Sequence, residues 1–190
     1  MTGQIDGMGA DPATGRVFAT VNEDSKSSLY VVSGGTATHY TYTQSPLLQM
    51  GGTDAVSVYN GKILISASAP GTGVKAPKSA PAVFVVTLNA GAKTATVAPF
   101  FADNATATGV NAPNAGTKVT LALTDPDSNT VVPSGSPAFA GDFMLNSQGD
   151  RELIFSGASG QTLQVLKISS PVGKVAIIGA VTPKGMIFVP

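Results

Sequence analysis

The stretch Ile5-Asp6-Gly7-Met8-Gly9-Ala10-Asp11-Pro12-Ala13-Thr14-Gly15-Arg16-Val17-Phe18-Ala19-Thr20-Val21-Asn22 reads as a single hairpin. An apolar run over Ile5 to Ala10 enters a turn at Asp11-Pro12-Ala13-Thr14-Gly15, where proline presets φ and glycine permits a positive φ. A second apolar run, Val17 to Val21, returns from it. The same grammar recurs downstream. Leu29 to Val32, a Gly34-Gly35 turn and the Thr/Tyr-rich Thr36 to Thr43 complete a set of four strands. A second set runs through Asp54 to Tyr59, the turn Asn60-Gly61-Lys62, Ile63 to Ala67, Val83 to Leu88, a turn at Asn89-Ala90-Gly91, and Thr94 to Phe101. Asn-Gly between apolar runs is a strong two-residue hairpin signal.

Ala102 to Thr117 reads as a surface loop, with a short strand beginning at Val119. A third set opens near Asp127 and continues through Phe143 to Asn146, Glu152 to Phe155 and Leu163 to Ile168. A fourth opens at Val175 and reaches only its second strand, Met186 to Val189. Asp6 and Asp54 are 48 residues apart, Asp127 follows after a further 73, and the corresponding place in the fourth set, Ile177, after 50. A four-stranded module at such a period is the mark of a propeller array. The second strands are almost unbroken apolar runs, as expected where both sheet faces are covered. The fold class is therefore all-β, a β-propeller-like array of four-stranded antiparallel blades with about three and a half blades present. The repeats fall at about 5–50, 51–118, 119–170 and an incomplete 171–190 within one domain.

Composition agrees. Hydrophobic residues make up 43% of 190 and the mean hydropathy is +0.22, which excludes a disordered chain. Charged residues are only 12%, eleven basic against eleven acidic, so neither nucleic acid nor membrane insertion is indicated. Cysteine is absent, which removes disulfides, a thiolate nucleophile and cysteine-type zinc sites. Met1-Thr2-Gly3-Gln4 lacks a signal-peptide pattern. The weakly charged Thr/Ser/Gly-rich surface nevertheless suggests an extracellular or cell-envelope protein whose leader is missing.

The hairpin Asp11 to Phe18 and its echoes resemble the β-propellers of the NHL, YncE and SMP-30/gluconolactonase kind. Asp125-Pro126-Asp127-Ser128-Asn129 and Asp142 to Asp150 also resemble strings from secreted bacterial propellers of unassigned activity. The resemblance implies architecture and carries over no catalytic residue, because such hairpins serve binding proteins, lactonases and scaffolds alike. It also implies four to eight blades in a closed ring. The chain therefore reads as a piece of a longer protein, or as one completed by another subunit. Open end blades would expose apolar faces and promote self-association.

In such an array the first strand starts, and the second ends, on one face. Asp6, Asp54 and Asp127 begin first strands, while Asn22 with Glu23, Ser66 and Asn146 end second strands. Their oxygens would suit calcium or a hydroxyl-bearing ligand. The plainer alternative, which the sequence favours, is that each Asp caps its own turn. Asp125 to Asn129 imitates the start of a calcium loop, but Thr130 stands where glycine is needed and Ser136 where a bidentate carboxylate is needed, so no EF-hand is present. His39 is the sole histidine and no nucleophile elbow occurs, which argues against a Ser/His/Asp triad. The leading expectation is a non-catalytic module binding a small-molecule or protein ligand without a cofactor. The alternatives are a calcium-dependent lactonase-like hydrolase, with a carboxylate such as Glu23 activating water, and a structural surface spacer.

Overall fold

The computed structural model describes residues 1–22, 26–44, 52–71, 79–168, 181–182 and 185–186, and among these there is no helix. The first unit is a meander of β1 (Ile5–Asp11), β2 (Arg16–Val21), β3 (Ser28–Ser33) and β4 (Thr36–Tyr42). The second is β5 (Thr53–Tyr59), β6 (Lys62–Ala67), β7 (Pro81–Asn89) and β8 (Thr94–Ala102). β9 (Thr106–Gly109) and β10 (Lys118–Thr120) precede the third unit, which is β11 (Pro126–Val131), β12 (Phe143–Ser147), β13 (Glu152–Ser156) and β14 (Leu163–Lys167). A two-stranded ladder of β15 (Val181–Thr182) and β16 (Gly185–Met186) ends the described chain. Each of the three units is antiparallel throughout.

The turns follow from residue chemistry. Asn60 and Gly61 both take positive φ (49° and 72°), as do Gly34 and Gly35 (54° and 77°), the type I′ geometry that matches strand twist. At the first hairpin the Asp11 carboxylate accepts from the Ala13 N–H at 3.1 Å and the Thr14 hydroxyl at 2.5 Å. The Thr14 bond is the main reason that this carboxyl lies below its ordinary value.

The units stack through their faces. Along β6 the side chains alternate: Ile63, Ile65 and Ala67 pack towards the first unit, beside Phe18, Leu29 and Tyr40, while Leu64 packs towards the third. The second interface centres on Phe143, ringed by Tyr59, Phe100 and Phe101 at centroid distances of 5.9 to 6.4 Å. Leu64 and Phe143 are both fully buried, each contributing about 1.5–3 kcal/mol. The unbroken apolar second strands thus have two buried faces. The inner strands β1, β5 and β11 lie side by side in that order. The result is a propeller-like array of four-stranded antiparallel units.

Two features depart from the sequence expectation. Ala102 to Thr117 is not all loop: β9 lies within it and pairs in parallel with β14 at Leu163↔Ala107. Its Thr-Ala-Thr-Gly sequence is too short for periodicity to declare a strand. The first two units are also not separate sheets, because the outer strands β4 and β8 pair in parallel at Thr41↔Thr94 and Tyr42↔Ala95. The Gln44 side chain extends the seam, donating to the Val97 carbonyl at 2.6 Å and accepting from its N–H at 2.5 Å. Of the expected fourth set, Val175 to Ala180, Pro183, Lys184 and Ile187 to Val189 lie outside the described residues.

The outward faces differ. The far face of the third unit is covered by its own β11–β12 loop, where Phe139 stacks on Phe155 at 3.8 Å. That of the first unit leaves Met8 68% exposed.

Gly9 lets β1 lie directly against β5, since a Cβ there would collide with the Val56 carbonyl. Gly9→Val should destabilise the chain by about 2 kcal/mol or more. Gly157→Ala, which meets nothing within 4 Å, should change stability by under about 0.5 kcal/mol. Urea unfolding of the two variants checks this.

Candidate functional site

The inner strand of every unit is interrupted at the same place. Ile5 pairs with Val21 and Gly7 with Thr20, leaving Asp6 as an extra residue. In the second unit Thr53 pairs with Ala67 and Val56 with Ile65, so Asp54 and Ala55 together face Ser66. In the third, Pro126 pairs with Ser147 and Asn129 with Leu145, so Asp127 and Ser128 face Asn146. Each is a β-bulge, a device that turns the local backbone and re-aims a side chain. Each bulge carries an aspartate, and all three aspartates are partly exposed.

The bulges are tied from unit to unit. The Thr20 hydroxyl donates to the Gly7 carbonyl at 3.3 Å and to the Asp54 carbonyl of the next unit. Ser66, fully buried, repeats this one unit on: its hydroxyl accepts from the Ala55 N–H at 3.0 Å and donates to the Asp127 carbonyl at 2.8 Å. Asn129 completes the seam, its Nδ2 donating to the Ala55 carbonyl at 3.1 Å. Asp6, Asp54 and Asp127 are thereby held at one end of three adjacent inner strands. Asp6 and Asp54 also make interactions of their own.

Of the second-strand residues singled out from sequence, Ser66 and Asn146 occupy equivalent places. Asn22 does not. The register gives that place to Thr20, two residues earlier. Asn22 instead takes a φ of 58°, accepts from the Gln4 N–H at Oδ1 (3.1 Å) and donates its own N–H to the Gln4 carbonyl (2.9 Å). Glu23 lies outside the described residues. Sequence reasoning missed Thr20 because β2 ends at Val21 and the residue facing the bulge is the penultimate one of the strand, which spacing alone does not reveal.

It also missed a polar cluster at the same end of the third unit. The Asp150 carboxylate accepts from the Thr124 N–H (2.7 Å), the Thr124 hydroxyl (2.9 Å) and the Ser147 hydroxyl (2.6 Å), holding the β12–β13 turn against the entry to β11. Neighbouring Asp125 is less well served. Partial burial raises its carboxyl above the ordinary value, the charges of Asp127 and Asp150 add to that, and the Gly149 N–H partly opposes it. Among the described residues no three acidic or histidine side chains come together as a metal-holding group.

No family model matches the chain, and no curated protein matches it in sequence. Among solved structures it is similar to YCF48 bound to D1 peptide, at 11% identity over 86% of this chain and 39% of that one, with a TM-score of 0.44. It is similar to an auxiliary nutrient binding protein from Bacteroides thetaiotaomicron, at 11% identity over 91% and 38%, with a TM-score of 0.48. It is also similar to a putative 6-phosphogluconolactonase from Bacteroides uniformis, at 12% identity over 87% and 57%, with a TM-score of 0.40. The chain thus spans 38% to 57% of the length of these structures. They are propeller-type folds. The architecture assigned above rests on this chain's own strand order and inner-strand bulges.

Ser66→Ala should cost about 1–3 kcal/mol, because it strands a buried N–H and a carbonyl on two different units. Ser66→Thr, which restores the hydroxyl chemistry of Thr20, should recover most of it, as thermal unfolding would show. For Asp125 the folded carboxyl holds its proton more tightly than the unfolded one. Stability therefore falls as pH rises from the ordinary Asp value through the raised folded value. Asp125→Asn should stabilise the chain near neutral pH by about 0.5 kcal/mol or less after solvent screening. The gain should vanish below about pH 3, where both states are protonated. Melting curves across that range check the sign.

Proposed function

We propose that the chain is a non-catalytic binding module that takes a hydroxyl-rich ligand, such as a saccharide, across the end of the array where Asp6, Asp54 and Asp127 stand. One observation carries this reading: the same aspartate-bearing bulge recurs on three adjacent inner strands. A bulge interrupts ladder bonding, and a fold that repeats it three times at one end is using it to present side chains. Carboxylates accept hydroxyl protons in short, charge-assisted bonds. Fixed inner strands present these acceptors with little ordering cost. The sparse charge and the Thr/Ser/Gly-rich surface support an exported bacterial protein as the setting. Among the described residues no helix is long and apolar enough to cross a membrane.

The acidic crowding around Asp125 favours one competing reading, a cation held beside Asp127 as in a calcium-dependent hydrolase, and the test separates the two. Glycan-array binding should be detectable with calcium chelated and should be lost in the Asp6→Asn/Asp54→Asn/Asp127→Asn variant with its circular dichroism unchanged. Binding that survives the triple variant would overturn the proposal. So would a calcium-induced rise in melting temperature accompanied by lactone hydrolysis, since a ligand specific for the folded chain must stabilise it.

A further inference from the structure

We propose that a second site, a cavity at the outer rim of the third unit, binds a small zwitterion: an amino acid with a short aliphatic side chain. The cavity measures about 110 Å³ and is partly open. It lies where the segment between β9 and β10 crosses the end of β14. Asn111 pins that segment in place, its Nδ2 donating to the Lys167 carbonyl at 2.7 Å and its Oδ1 accepting from the Lys167 N–H at 3.0 Å. The pinning leaves an apolar floor of Val119, Leu121 and Val165, all part of or packed against the core between the second and third units.

Two charges line this floor. Glu152 and Lys167 are cross-strand partners on β13 and β14, and Lys167 Nζ stands 3.2 Å from Glu152 Oε1. The Glu152 side chain is only 15% exposed while that of Lys167 is 59% exposed. A carboxylate can accept about four hydrogen bonds and an ammonium can donate three. Among the described residues Glu152 Oε2 has no protein partner, and Lys167 Nζ has no other carboxylate partner. A ligand bearing both charges can therefore join the existing pair as a closed ring of alternating charge, its ammonium on Glu152 and its carboxylate on Lys167, without leaving either protein charge unpaired. A ligand with one charge can engage only one member of the pair. The space is somewhat less than the roughly 150 Å³ that houses benzene, so a body of three or four carbons suits the floor. The site shares no residue with the aspartate bulges and does not rest on the function proposed above.

The test is titration of the full ¹⁵N-labelled chain with L-valine, isobutylamine, which lacks the carboxylate, and isovalerate, which lacks the ammonium. L-Valine should produce saturable shifts at the Asn111, Glu152 and Lys167 amides with a Kd of order millimolar, as expected for so few atoms. The two singly charged probes should bind about tenfold or more weakly. Glu152→Gln should abolish the preference of valine over isovalerate. Lys167→Met, at a more exposed position, should abolish the preference over isobutylamine even if the Glu152 variant fails to fold. Asp54→Asn should leave the valine titration unchanged. No shift at these amides by about 50 mM valine, or equal binding of all three probes, would overturn the proposal.

Discussion

The fold depends on a hydroxyl on the second strand of each of the first two units that reaches over to the next unit's inner strand. Thr20 does this towards Asp54, and Ser66 towards Asp127. The constraint behind it is that a bulge leaves backbone groups without ladder partners, and buried backbone groups require partners. Ser66 meets both demands at once, satisfying the Ala55 N–H of its own unit and a carbonyl of its neighbour. Sheet packing is otherwise apolar and tolerant of sliding. These directional bonds give it a register, so the inner strands stay aligned.

Close backbone approach makes this contact feasible. Gly7 and Gly9 leave the face of β1 bare where it meets Asp54, Ala55 and Val56, so the first two inner strands touch almost backbone to backbone. At the outer edge β4 and β8 are zipped by parallel pairing and by Gln44. The first two units are thus joined at both edges around one core, while the third is held at the inner edge and across its face. The Asp125 neighbourhood belongs to this third unit, where like charges crowd a partly buried carboxyl.

In the proposed reading, the recurring bulge presents side chains to a ligand. Asp11, outside the three bulges, caps its own turn: its carboxylate is occupied by Ala13 and Thr14. Asp6, Asp54 and Asp127 stand instead at bulges on three adjacent inner strands, at the end of the array where Asp150 and the cavity-lining Glu152 also lie. That end concentrates the polar chemistry of a chain that is otherwise poor in charge.

From the amino-acid order alone came the class, the four-strand modules, the hairpin turns and the identity of the bulge aspartates. These depend on local rules: period-two alternation, positive-φ glycine and asparagine, and a polar residue recurring at the head of an apolar run. Only the tertiary structure decided the rest. The end of β2 at Val21 and the register of its bulge assigned Thr20, not Asn22, to the place shared by Ser66 and Asn146. The parallel pairings of β4 with β8 and β9 with β14 bring together residues distant in the chain, and no local pattern encodes a partner across such a separation. Packing likewise set Glu152 and Lys167 beside an apolar floor, because a cavity is a property of surfaces that meet and not of the order in which their residues are joined.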